Sequence, residues 1–110
     1  MENMIDAQTE SLMVTIRCIT FNQASYIRDC LDGFVMQKTN FRFEAIVHDD
    51  ASTDGNAEII KEYGEKYPSI IKPILETENQ WSKRDGSLGR IMDSHTHGKY
   101  VAWCEGDDYW

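Results

Sequence analysis

From Met13 onward the apolar positions alternate between two periods. MVTIRCIT (13–20) is short and rich in β-branched residues, and reads as a strand. FNQAS follows as a turn, after which Ile27, Leu31, Phe34 and Val35 fall at i, i+4, i+7 and i+8 and form one helical face. FEAIVHD (43–49) is a second strand that ends in the polar run DDASTDG. Ile60, Tyr63, Gly64 and Tyr67 then repeat at helical spacing until Pro68 stops the helix, with Thr53 or Asp54 as the expected N-cap. SIIKPIL (69–75) is a third strand; Pro73 has no N–H for a ladder bond, which sends this strand to a sheet edge. After the polar stretch ETENQWSKRDGS, Leu88, Ile91, Met92 and His95 give a third helical face, with Gly98 as its stop. KYVAWCE (99–105) is a fourth strand, and GDDYW follows it.

The order βαβαβαβ predicts an α/β fold: a mainly parallel sheet of about four strands with right-handed crossovers and helices on both faces. Residues 1–12 read as a polar lead-in and 13–110 as one domain without repeats or linkers. Ligands of such sheets bind beyond the carboxyl ends of the strands, where the strand order reverses. Asp49–Asp50 and Asp107–Asp108 each follow directly on a predicted strand, so both pairs belong on one edge of the sheet.

Charge changes the picture. The formal net charge of −8 argues against nucleic acid as a partner, because phosphate backbones are held by Lys and Arg. A phosphate-bearing small ligand would need a cation to bridge it to these carboxylates. Cys18, Cys30 and Cys104 form no CxxC pair and leave one over after any disulfide, which suggests reduced thiols in a cytosolic protein. MENMIDAQTESL lacks the basic and apolar regions of a signal peptide, and no apolar run approaches the ~18 residues of a membrane span.

Two rival readings of the acidic runs are weak. As a calcium loop starting at Asp50, DDASTDG places Ser52, Asp54 and Gly55 acceptably, but Lys61 stands where a bidentate glutamate is required. A phosphorelay receiver domain carries its paired acids after the first strand, and here that strand ends in Ile19-Thr20-Phe21-Asn22. His95 and His97 lack accompanying ligands for zinc, and read as one core-facing imidazole and one at a helix end.

VTIRCITFN, then FEAIVHDDASTDG, then GKYVAWCEGDDYW resemble, in order and spacing over residues 13–110, the N-terminal half of a family 2 glycosyltransferase with the Rossmann-like GT-A fold. Phe21-Asn22 matches the family's YN-type turn, VHDDASTD its VDDGSTD-type run, and EGDDYW its DxD-type motif. Ile19, Ala51 and Glu-Gly-Asp-Asp are mild departures. The resemblance implies transfer of a sugar from a nucleotide-diphosphate donor, UDP favoured, to an acceptor hydroxyl with inversion. It also implies Mn²⁺ or Mg²⁺ on Asp108, Asp107 near the ribose, Asp50 accepting from the base, and the backbone around Ile19 and Thr20 lining the same pocket. Lys83, Arg84 and Arg90 fall in the segment that passes near the diphosphate in such enzymes; a solvated surface is the competing reading for Lys83 and Arg84, and Arg84 is the one carried as a donor contact. Trp81 either covers the donor or packs under a loop.

The general base of this family lies well past the DxD-type motif, and is therefore expected beyond Trp110. No catalytic residue is expected in this chain, which would be a donor-binding part, truncated after that motif and inactive on its own. Tyr109 and Trp110 read as aromatics that pack against a continuation of the domain. The alternative is a nucleotide- or metal-binding module without catalysis. The full-length protein is expected in the cytoplasm or at the inner face of the membrane, acting on a glycan or lipid-linked acceptor in cell-envelope polysaccharide synthesis.

Overall fold

The computed structural model describes residues 12–38, 41–80, 83 and 86–105. Strands β1 (Leu12–Thr20), β2 (Arg42–Asp49), β3 (Ile71–Leu75) and β4 (Tyr100–Glu105) alternate with helices α1 (Ala24–Val35), α2 (Asn56–Lys66) and α3 (Ser87–Ser94). The strands form one sheet in the order β3-β2-β1-β4, and each neighbouring pair is parallel. This is the expected Rossmann-like α/β arrangement, with β3 and its Pro73 at an edge.

Alternation along the strands sorts the residues onto two faces. Ile16 and Cys18 of β1, Ala45 and Val47 of β2, Ile71 of β3 and Cys104 of β4 face one way, and are covered by Ile27, Leu31 and Phe34 of α1 with Ile60 and Tyr63 of α2. On the other face Ile46 meets Leu88 and Met92 of α3, flanked by Ile19 and Ile74. A single hand of crossover explains the division. The chain steps from β1 through β2 to β3 in one direction and returns past β1 to reach β4, so α3 must lie opposite α1 and α2. The strand order reverses between β1 and β4, and this reversal positions the site.

Local chemistry moves some boundaries. Ile70 and Ile71 donate to Tyr67 O in a turn, so β3 begins at Ile71 and not at Ser69. The N-cap of α2 is Gly55, whose φ of 92° an L side chain rarely adopts, and not Thr53 or Asp54. Asp54 still serves the helix start, accepting from Asn56 N–H at 3.1 Å. Helix α3 ends at Ser94 with His95 as its cap, so Gly98 is not its stop. Gly98 instead lets the chain pass against β1: a Cβ there would stand 2.4 Å from Thr15 N, and its own N–H donates to Thr15 Oγ1 at 2.7 Å.

Two glycines predict opposite outcomes. A Cβ on Gly64 of α2 would lie 2.4 Å from Cγ of Pro73, a ring that cannot swing aside, whereas one on Gly89 of α3 meets nothing within 4 Å. Gly64→Ala should therefore lower stability by about 1–3 kcal/mol through overpacking. Gly89→Ala should raise it by about 0.5–1 kcal/mol, since alanine loses less entropy in a helix. Urea midpoints of the two variants check this, and equal shifts would contradict it.

Candidate functional site

At the carboxyl ends of β1, β2 and β4 a cleft of about 1180 Å³ opens where the strand order reverses. Its walls include Ile19 and Thr20 at the end of β1, Asp50 after β2, Leu88 at the start of α3, and Trp103 and Glu105 of β4.

The two loops that shape the cleft are tied to each other by reciprocal hydrogen bonds. Asn22 N–H donates to Ser52 Oγ at 2.8 Å, while Thr53 N–H donates to Asn22 Oδ1 at 2.8 Å. Ala24 N–H, at the start of α1, donates to Asp54 Oδ2 at 3.0 Å. Beneath them the buried Asn56 amide donates to Thr20 Oγ1 at 2.8 Å and to Asp49 Oδ1 at 2.6 Å. Asp49 Oδ2 accepts from Ser52 N–H at 3.0 Å. Asn22 and Ala51 take positive φ values of 50° and 62°, conformations that these contacts hold in place.

The adjacent aspartates thus have separate tasks. Asp49, the last residue of β2, is buried and spends both oxygens on the loop and α2. Asp50 lies in the cleft wall at 2% exposure. Its Oδ1 accepts from Gln80 N–H at 2.5 Å, its carbonyl accepts from Asn79 Nδ2 at 3.0 Å, and its N–H donates to Thr20 O at 3.0 Å. The carboxylate is therefore held in a fixed orientation at the cleft.

The opposite wall is fixed from the α3 face. Arg17 of β1 donates to Asp93 Oδ1 at 2.5 Å and to Thr96 Oγ1 at 2.9 Å, and its guanidinium lies 4.9 Å from the centre of the Trp103 ring. Trp103 is 62% exposed, so a planar cation on one side steadies a broad aromatic surface in the cleft. Among the described lining residues Asp50 and Glu105 carry carboxylates. Such oxygen donors suit a hard cation such as Mg²⁺ or Mn²⁺.

Residues 15–110 match the family model for glycosyl transferase family 2. The chain belongs to that family. An uncharacterized protein of Mycobacterium tuberculosis is 46% identical over 99 residues, which are 88% of this chain and 27% of the relative. A mannosyltransferase from Pyrobaculum calidifontis, solved in complex with GDP-Man and Mn²⁺, is similar at a TM-score of 0.73 and 28% identity, over 91% of this chain and 29% of that one. TarS of S. aureus, solved in complex with UDP, is similar at a TM-score of 0.71 and 25% identity, over 89% of this chain and 28% of that one. This chain therefore spans only about a quarter of the mycobacterial relative's length, 27%.

Of the residues singled out in this family 2 sequence, Ile19, Thr20 and Asp50 meet in the cleft. Thr20 also uses its hydroxyl internally, donating to His48 O at 2.8 Å. Arg84, Asp107, Asp108 and Trp81 lie outside the described residues. So do Tyr109 and Trp110, and with them the expected packing of these two rings and the place beyond Trp110 assigned to the general base. Lys83 pairs with Glu78 at 3.0 Å, and Arg90 Nη2 lies 3.4 Å from Ser87 Oγ; neither is among the described lining residues. His95 and His97 are not buried, so neither is the expected core-facing imidazole. The buried imidazole is His48. Asn79, Gln80, Trp103 and Glu105 were not anticipated. A period of two along KYVAWCE, with Cys104 facing the core, would have placed Trp103 and Glu105 together on the other face; nothing in ETENQW singles out Gln80.

Next to these aspartates His48 is fully buried, and its ring nitrogens lack hydrogen-bond partners among the described residues. Burial lowers its pKa from 6.5, against the opposing pull of Asp50, Glu76 and Asp49. The unfolded chain thus binds this proton more readily than the folded one. Stability should be full above about pH 6.5 and fall as acid is added, until the folded-state value is passed. Urea midpoints between pH 8 and pH 5 should show this fall in the wild type, and His48→Leu should flatten it. An unchanged slope in His48→Leu would assign the effect elsewhere.

Proposed function

We propose that this chain forms the donor-binding part of a glycosyltransferase that moves a sugar from a nucleoside diphosphate, UDP favoured, to an acceptor hydroxyl. The observation that carries this reading is Asp50, a buried carboxylate pinned by Gln80 N–H and displayed in a cleft at the strand-order reversal. A carboxylate so placed accepts from an N–H of a base such as the uracil imide. The exposed Trp103 offers an apolar surface on the far side. Glu105 ends β4 in the cleft wall, and Asp107 and Asp108 follow in the sequence two and three residues later.

Departure of a nucleoside diphosphate builds negative charge on the leaving oxygens, and a divalent cation neutralises it. In this reading Asp108 holds Mn²⁺ or Mg²⁺ and Asp107 meets the ribose. Arg84 adds a cation near the diphosphate. Attack by the acceptor on the face opposite the leaving group inverts the anomeric centre, and the base that takes the acceptor's proton is supplied from beyond Trp110. The acceptor is a glycan or lipid-linked sugar met on the cytoplasmic side of the membrane. The UDP and GDP-Man complexes of TarS and the Pyrobaculum mannosyltransferase support the ligand class, and the Mn²⁺ of the latter supports the metal.

Calorimetry should detect UDP binding with Mn²⁺ and little with EDTA. Equal affinity in both would remove the metal from the proposal.

The carboxylates should also separate by ligand. Asp50→Ala should weaken UDP by about 1.5–3 kcal/mol while sparing pyrophosphate, whereas Asp108→Ala should weaken both in Mn²⁺. Parallel titrations with the two ligands decide, and a loss of pyrophosphate binding in Asp50→Ala matching that in Asp108→Ala would reverse the assignment.

A further inference from the structure

All three cysteines of the chain meet at one point in the core. Cys18 of β1 and Cys104 of β4 are register neighbours on adjacent strands, and Cys30 comes down onto them from α1. Their sulfurs lie within 4.8 Å of one another, with Cys30 and Cys104 at 3.5 Å. Exposures are 0%, 0% and 5% for Cys18, Cys30 and Cys104. Small aliphatic side chains would fill the same volume, since Ile16, Ile27 and Leu31 belong to the same cluster. Packing alone therefore gives no reason for three sulfurs from three separate segments to converge.

We propose that Cys18, Cys30 and Cys104 form a trigonal site for a soft, thiophilic ion, with the trivalent arsenic of arsenite as its best match in charge. Thiolates select soft ions over the hard cations that suit the carboxylates of the cleft. Pyramidal trivalent arsenic with bonds to sulfur of about 2.3 Å holds its ligands about 3.5 Å apart, the separation of Cys30 and Cys104 already, so the sulfurs need close by little more than about 1 Å. Charge decides among ions. Three thiolates around a divalent metal would leave a net charge in an apolar interior, where it is costly. Arsenite enters as neutral As(OH)₃: three S–H and three As–OH bonds break, three As–S bonds form, and three water molecules leave. Nothing is oxidised or reduced, and the product is neutral. Hydrogen bonds with Cys104 and Cys30, followed by burial, hold the Cys18 thiol well above its ordinary pKa, so this thiol is neutral before the site is filled. Cys104 also lines the cleft, which supplies a path of entry.

The test titrates the full chain, reduced with a phosphine in place of a competing thiol, with sodium arsenite. One arsenic per chain should bind, X-ray absorption should show three sulfur neighbours, and all three cysteines should resist alkylation together. Cys30→Ala and Cys104→Ala should each lose the three-sulfur signature. Should either variant fail to fold, the sulfur count and alkylation pattern of the wild type still decide. Two sulfur neighbours, protection of only one pair, or no retained arsenic would overturn the proposal. None of these readouts depends on nucleotide binding, so their failure is distinct from a failure of the glycosyltransferase reading.

Discussion

The side-chain amide of Asn56 has no exposed surface, and its nitrogen donates both to the hydroxyl that ends β1 and to the carboxylate that ends β2. Turning the amide over would set its oxygen against the Asp49 carboxylate, so the orientation is determined even though Oδ1 lacks a partner among the described residues. One side chain at the first position of α2 thereby joins two strand ends. The loop carrying Asp50 is suspended from that junction: Ser52 hangs from Asp49, Thr53 from Asn22, and Asp54 holds the start of α1. Each bond is satisfied from within the chain, which leaves Asp50 as the aspartate of the pair that reaches the cleft. Leaving the buried Asn56, Thr20 and Asp49 groups unpaired would cost about 1–3 kcal/mol apiece. The geometry of the Asp50 loop is thus set by hydrogen bonds made within the chain.

Much of this was legible in the residue pattern. Helical spacing at Ile27, Leu31 and Phe34, and again at Ile60 and Tyr63, reports burial directly, and those positions became the core. The two acidic runs after strands located the right edge of the sheet for Asp50. Short-range polar competition was harder to read. Thr53 and Asp54 both suit a cap, yet Gly55 takes that place because it can adopt the left-handed turn while Asp54 is drawn off to Ala24. Gly98 looked like a helix stop for the same local reason, although its use is a close approach to Thr15 far away in the sequence. Asn79 and Gln80 were invisible because their partner, Asp50, lies about 30 residues earlier in the chain.

The faces of the sheet differ in chemistry as well as in cover. Toward α1 and α2 an apolar cluster covers the middle of the sheet, and the buried hydrogen bonds of Asn56 lie at its carboxyl edge. Toward α3 buried polar groups recur: Thr15 donates to Glu44 at 2.9 Å, Arg17 reaches Asp93 and Thr96, and His48 lies 3.8 Å from Glu76. A short helix with two buried apolar residues, Leu88 and Met92, cannot cover this face by hydrophobic contact alone, and the ion pair and hydrogen bonds orient it where packing would not.

The reversal of strand order also sets a timetable for folding. β1 pairs with β2 after one helical crossover, so Thr15 meets Glu44 early along the chain, whereas Val14 meets Tyr100 only after β2, β3 and all three helices have been made. Contacts distant in sequence are slower to form because the loop between them must be closed first. The half of the cleft that carries Asp50 can therefore be assembled and locked while the half that carries Trp103 and Glu105 is still being made. Until β4 pairs with β1, the wall that carries Trp103 and Glu105 is missing and the cleft is open on that side.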